Sequence, residues 1–376
     1  MSAPIERLFN SPPFPVSRGG RFVAALRECA VLQSRRFPVL ARLYAREGFK
    51  PGSLRTERDV PRLPFLHAAV FKEFEFAASP AIKLALSLTS SGTGGQKSRI
   101  RLDEGSLRRV KASAEKVYAA LGMVDKGLKT NYVCMTYDPR QAKDLGTAFT
   151  DELLTSFASA GEVYYAIRRE SPRSEFRFDL EGALAAFRRF SGTGLPLRVL
   201  GFPAHLQFAC EAWRRRGWPG LKLGKKSWVL TGGGWKGHQG DAIPKEDFKA
   251  RISAWLGLPA ANIRDLYGLV EHGIPYVECR LGRMHVPDYA RVIVRDPRTL
   301  RALPHGRRGL LQLVTPYLTS FPSFSVLAGD WGKKAPRCAC GVPGEVLVLL
   351  GRAGISPARG CAVTAAELLR ASAEGA

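Results

Sequence analysis

The sequence predicts an α/β fold with a largely parallel sheet, joined to a smaller β-rich subdomain, and three observations support this. Strand-like and helix-like runs alternate between about residues 81 and 274, at the spacing of βαβ units. From about residue 275 short β-runs are separated by turns, without long helices. With 376 residues the chain can hold a large core, as one large domain with a small appendage or as two modest domains.

In chain order, residues 1–80 read as a helical region broken by proline-containing connections, with helices near Phe22–Gln33 and Arg36–Glu47. Ile82–Leu88 is an apolar strand that runs into a Ser/Thr/Gly-rich stretch. Asp103 then caps a helix whose apolar positions Leu107, Val110, Ala114, Val117 and Leu121 follow the helical period. Strands are expected at Asn131–Thr136, Glu162–Ile167, Leu197–Leu200 and Ser227–Leu230. Helices are expected between and after them at Leu180–Phe190, Ala204–Arg216 and Lys245–Leu256. These complete an α/β core over 81–274. The runs Val292–Val294, Leu310–Val314 and Glu345–Leu350 build the β-rich subdomain, 275–352, and a tail, 353–376, closes with a helix near Thr364–Ser372.

Composition narrows the class. Apolar residues make up 45% and charged residues 24%, an ordinary globular balance. No window is long and apolar enough for a membrane span, and the N-terminus lacks a signal-peptide h-region, so a cytoplasmic protein is expected. The net charge of +24 comes from arginines and lysines scattered along the chain. No zinc-finger, helix-turn-helix or RNA-recognition signature accompanies them, so a basic enzyme surface is expected rather than a nucleic-acid reader. Such a surface attracts nucleotides or an acidic partner protein. The seven cysteines, an odd number, do not suggest a disulfide framework.

Most of the chemistry lies in Thr89-Ser90-Ser91-Gly92-Thr93-Gly94-Gly95-Gln96-Lys97-Ser98. Its glycines free backbone N–H groups to converge on phosphate oxygens, and its hydroxyls add donors. The spacing is not that of a Walker A loop. The segment Ser91–Gly95 resembles the phosphate-binding loop of the adenylate-forming superfamily, which includes acyl-CoA synthetases and firefly luciferase, and the superfamily's later motifs follow in order. Thr231-Gly232-Gly233-Gly234-Trp235-Lys236 resembles the adenine-side loop, and Asp265-Leu266-Tyr267-Gly268-Leu269-Val270-Glu271 resembles the YGxTE motif. Gly329-Asp330-Trp331-Gly332 resembles the ribose-binding motif, and Gly351-Arg352 the arginine that precedes the superfamily hinge.

The resemblance implies ATP and Mg²⁺ as cofactors. It also implies that Tyr267 stacks on adenine beside Gly268, that Glu271 helps hold Mg²⁺, that Asp330 takes the ribose hydroxyls, and that Ser90 to Gly95 cradle phosphate with Lys97. Two positions depart from the usual pattern: Gly94 stands where a second Thr is common, and Val270 replaces a Thr.

After Arg352 the chain runs only to Ala376, and no lysine follows Lys334, so the superfamily's C-terminal domain is expected to be truncated. Together with the GGGWK sequence and the helical N-terminal region, this resembles the acyl-protein synthetase (LuxE-type) family across nearly the whole chain. In that family the acyl group passes from the adenylate to a cysteine near the C-terminus, here Cys361 in Arg359-Gly360-Cys361, and then to a partner such as an acyl reductase or carrier protein. The expected activity is AMP-forming activation of a fatty or other hydrophobic carboxylic acid. An acyl-CoA ligase of the phenylacetate type and a non-catalytic nucleotide-binding scaffold are the alternatives.

A second constellation is separate. Cys279 and His285 are five residues apart, and Cys338-Ala339-Cys340 follows, a Cys3His set suited to a structural Zn²⁺. Of the other histidines, His205 opens a helix and His272 follows Glu271. Cys29, Cys134 and Cys210 fall on apolar faces and read as core.

Overall fold

The structure is a computed structural model that describes residues 3–76, 82–90, 98–171, 173–235 and 238–353. It divides into two compact units. The first contains residues 1–120, 268–276 and 283–376, and the second residues 121–267 and 277–282.

The second unit is the doubly wound part. The strands Ile263–Tyr267, Trp228–Gly232, Leu197–Gly201, Asp125–Tyr137 and Ala158–Arg168 lie side by side in that order. All pair in parallel, and the short strand Arg177–Phe178 adds antiparallel to the last. The central strands Leu197–Gly201 and Trp228–Gly232 are buried along nearly their whole length, as strands covered on both faces must be.

The helices Gly146–Thr155, Leu180–Ser191, Pro203–Arg215 and Lys245–Leu256 connect them. Asp179 caps Leu180–Ser191 by accepting from the Gly182 N–H at 2.8 Å, and Leu184, Phe187 and Phe190 point inward at helical spacing. Their core is shared with Trp213, Ile252 and Trp255, with the Phe187 and Trp255 rings 4.8 Å apart.

The first unit joins helices to an antiparallel sheet. Its strands run Met284–His285, Val346–Arg352, Ser325–Ala335, Gly309–Val314 and Arg291–Arg295, with Leu66–His67 parallel to Ser325–Ala335. A separate hairpin pairs Leu84–Thr89 with Arg99–Asp103. The helices Arg21–Arg36, Pro38–Arg46 and Glu104–Ala120 belong to the same unit. Asp103 caps the last by accepting from the Ser106 N–H at 2.7 Å, as the sequence suggests.

The segment around Tyr317–Phe321 is buried without regular structure, so its carbonyls need partners. The Gln33 amide donates to the Phe321 carbonyl at 2.9 Å, and Arg109 Nε donates to the Tyr317 carbonyl at 2.8 Å.

Three features go beyond the sequence reading. Arg99–Asp103 is a strand, Gly146–Thr155 is a helix, and Ser325–Ala335 is an 11-residue strand. In the last, Gly329, Asp330, Gly332, Lys333 and Lys334 dilute the apolar alternation that marks a strand. The expected terminal helix lies outside the described residues, among which no helix is long and apolar enough to cross a membrane.

Candidate active site

In the first unit the neck of the phosphate loop is closed by a reciprocal pair. The Ser90 N–H donates to the Ser98 carbonyl at 2.9 Å, and the Ser98 N–H donates to Ser90 Oγ at 3.0 Å. Ser91, Gly92, Thr93, Gly94, Gly95 and Lys97 lie outside the described residues.

Glu271 is 4% exposed, and burial raises its carboxyl above the usual range. The Ser98 hydroxyl opposes that shift most, followed by the Glu271 backbone N–H and then by the Lys72 ammonium, while the Asp330 carboxylate adds to it. Ser98 Oγ is fully buried and makes no hydrogen bond of ordinary geometry, so it lies near the carboxylate without being aligned to it. Ser323 Oγ donates to the Glu271 carbonyl at 2.6 Å and fixes the turn. Asp330 and Arg352 are cross-strand partners on Ser325–Ala335 and Val346–Arg352, and the Ala353 N–H donates to the Gly329 carbonyl at 2.9 Å. Glu271, Asp330, Arg352 and the loop neck thus share one unit.

The second unit brings the adenine-side motifs to the C-terminal ends of neighbouring parallel strands, where such sheets bind ligands. Gly232 lies opposite Leu266, and a Cβ there would meet the Leu266 side chain at 2.9 Å, so only glycine lets these strands pack. Gly233 and Gly234 continue with φ of 73° and 66°, a left-handed path that favours glycine.

Tyr267, 7% exposed, ends its strand. Two residues earlier, Asp265 Oδ1 accepts from Thr231 Oγ1 and from the Leu266 N–H, each at 3.1 Å. Burial chiefly pushes the Asp265 carboxyl up to about 6, with Lys245 opposing and Glu278 adding to the shift. Glu278, 1% exposed, accepts from the Asp265 N–H at 3.0 Å and pairs with Lys245 and Lys249.

An aromatic cluster lies at the same sheet end. His205, in the first turn of Pro203–Arg215, stacks on Phe178 with centroids 4.4 Å apart and meets the edge of Phe202. Tyr137 packs against both Phe176 and Phe202, and Phe208 against His238.

In the first unit His272 is fully buried, which pushes its imidazole down to about 3 and keeps it neutral. Its Nε2 shares a 2.7 Å hydrogen bond with the Tyr276 hydroxyl. Cys29, Cys134 and Cys210 are buried, and their thiols are pushed up by desolvation, which makes them poor nucleophiles.

His285, Cys338 and Cys340 have ligand atoms within 4.8 Å of one another. Cys340 Sγ lies 3.2 Å from His285 Nε2 and accepts from the Val342 N–H at 3.4 Å. An amide aimed at sulfur stabilises a thiolate, the form that binds metal. Cys279, 3% exposed, falls in the second unit, and Cys361 lies outside the described residues.

The sequence reading quoted Ser98 and Asp265 within its motifs without giving either a role of its own. Lys72, whose charge acts on Glu271 in the first unit, and Glu278, bonded to Asp265 in the second, stand in no motif, so only the folded chain relates them to those residues.

A family model described as "Acyl-protein synthetase, LuxE" matches residues 45–370. The "Long-chain-fatty-acid--luciferin-component ligase" of Vibrio harveyi is 25% identical over 326 residues, 84% of this chain and 81% of that one. The protein of the same name from Aliivibrio fischeri is 26% identical over 317 residues, 83% and 80% of the two chains. Among solved structures, 2-hydroxyisobutyryl-CoA ligase in the postadenylation state with R3-HIB-AMP superposes with a TM-score of 0.67 at 16% identity, covering 94% of this chain and 74% of that one. At that identity the likeness is one of fold.

Proposed function

The chain belongs to the acyl-protein synthetase, LuxE family, and from that premise we propose that it activates a fatty acid with ATP and passes the acyl group to protein. A carboxylate oxygen of the acid attacks the α-phosphorus, the bond to the bridging oxygen breaks, and pyrophosphate leaves with the electron pair. The acid is already ionised, so no general base is required. The work falls on groups placed in advance around growing negative charge.

Glu271 would hold Mg²⁺, which when bound neutralises charge on the polyphosphate. A buried carboxylate beside a second carboxylate, Asp330, fits a cation, because burial alone disfavours its ionised form. The loop from Ser90 to Gly95 and Lys97 would bind phosphate. Gly232, Gly233, Gly234, Tyr267 and Gly268 would receive adenine, and Asp330 the ribose. Arg352, across the strand pair from Asp330, would add positive charge at the same end. The aromatic cluster around Phe178, Phe202 and His205 would form a wall for the acyl group. The Cys361 thiolate would then attack the acyl carbonyl, expelling AMP and forming a thioester for a partner protein.

His285, Cys338 and Cys340, with Cys279 as the fourth ligand, would bind a structural Zn²⁺. The donor chemistry supports this, since thiolates and imidazole suit zinc rather than a hard cation.

One observation carries the catalytic reading. The turn at Glu271 buries a carboxylate within electrostatic reach of Ser98, Lys72 and Asp330, in the unit that also closes the phosphate-loop neck. The test is ATP–pyrophosphate exchange with a series of fatty acids. Exchange should require an acid and fall about a hundredfold or more in Glu271→Gln. Exchange that ignores both the acid and the substitution would rule the reading out.

A further inference from the structure

In the second unit, Val277–Gly282 returns beside the strand Ile263–Tyr267, and Glu278 takes up both peptide groups of Asp265. The Glu278 N–H donates to the Asp265 carbonyl at 3.0 Å, and Glu278 Oε2 accepts from the Asp265 N–H at 3.0 Å. The carboxylate thus satisfies a backbone donor of the strand and fixes the strand's direction at that point. The Asp265 side chain extends the contact to the next strand, where Thr231 Oγ1 donates to Asp265 Oδ1 at 3.1 Å. Thr231 immediately precedes Gly232, and Asp265 stands two residues before Tyr267. One carboxylate therefore reaches, directly or through Asp265, the ends of both strands that carry the adenine-side motifs.

The carboxylate is itself held. Glu278 is 1% exposed and pairs with Lys245 and with Lys249, the latter at 3.3 Å. The two lysines are one turn apart on Lys245–Leu256, and Lys245 Nζ also lies 3.8 Å from Asp265 Oδ2. Lys245 is the first residue of that helix, at the positive end of its dipole, a place that disfavours a cation without a carboxylate beside it. Helix, strand ends and the returning segment are thus joined at Glu278.

We propose that Glu278 is a positioning residue for the nucleotide: through Asp265 it sets the path of both strand ends, so that Gly232 to Gly234 and Tyr267 hold their places before ATP arrives. The inference rests on the reading of those residues as the adenine site given above. Apolar side chains of similar volume would fill the same space, and what the paired charges add is a fixed geometry. Glu278 touches no reacting atom and takes part in no bond change. Its effect falls on ATP binding, which ground state and transition state share, and so on KM rather than kcat.

Glu278→Gln, Glu278→Ala and Tyr267→Leu, each in the full chain, test this by ATP–pyrophosphate exchange with ATP and fatty acid varied in turn. Melting temperature is measured alongside. Glu278→Gln keeps an oxygen for the Asp265 N–H and should raise KM for ATP about threefold, while Glu278→Ala should raise it about thirtyfold. In both, kcat and KM for the fatty acid should stay within about twofold of the wild type. Should Glu278→Ala not fold, Glu278→Gln decides by the same criterion. A fall in kcat with KM for ATP unchanged overturns the assignment, because a merely structural role lowers the folded fraction and leaves its affinity intact. An equal rise in both KM values, the mark of general loosening, also overturns it. Tyr267→Leu should raise KM for ATP as well. If it does and the Glu278 variants match the wild type, the Glu278 assignment alone falls. If Tyr267→Leu leaves KM for ATP unchanged, the adenine reading falls and the inference with it.

Discussion

Gly273 leaves no room for a side chain behind Glu271. Its φ is 71°, and an added Cβ would lie 2.4 Å from the buried Tyr317 hydroxyl. Gly273→Ala should therefore cost about 2–4 kcal/mol in denaturant unfolding, from left-handed strain and overpacking. Gly268→Ala is the control, because its φ is ordinary and the nearest atom is the Ile274 carbonyl oxygen at 4.0 Å. It should unfold within about 1 kcal/mol of the wild type.

His272 makes a pH prediction. Burial holds its proton affinity at about 3, below that of the unfolded chain near 6.5, so protons favour unfolding. Its contribution is full above about pH 6.5 and is lost as pH falls from there toward 3. Between pH 6 and 5 the wild type should lose up to about 1.4 kcal/mol per pH unit more than His272→Gln; parallel curves would contradict a buried neutral imidazole. The glycine and acidic motifs were legible at this scale because ligand approach demands particular residue types. Lys72 was not, since a lysine on a short helix is ordinary until the fold brings its charge within reach of Glu271.

The parallel strands of the second unit were legible as elements because their burial on both faces writes short apolar runs, as in Trp228–Leu230. The strand Ser325–Ala335 was not, yet it sets Asp330 opposite Arg352. Its Gly332 serves packing, since a Cβ there would meet Leu311 at 2.7 Å. The strand pair Met284–His285 and Val346–Arg352 belongs to the same sheet, and His285 is one of the proposed metal ligands. Elemental analysis should find about one zinc per chain, and a chelator should lower the melting temperature reversibly. A chain that purifies without metal and melts unchanged in chelator would remove zinc from the account.

In the whole molecule, a linear reading could not see that the chain leaves its first unit after Ala120, returns at Gly268, departs again at Val277 and re-enters at Arg283. These crossings follow from contacts between residues far apart in sequence, which periodicity does not record. The order of the motifs was legible, and so was the family they point to.

The central claim is that one chain both adenylates a fatty acid and accepts its acyl group. The measurement is intact-protein mass after incubation with ATP, Mg²⁺ and a series of fatty acids, for the wild type and Cys361→Ser. The account predicts a hydroxylamine-labile acyl adduct on the wild type that Cys361→Ser lacks. No adduct on the wild type with any acid, whether or not pyrophosphate is released, would contradict it.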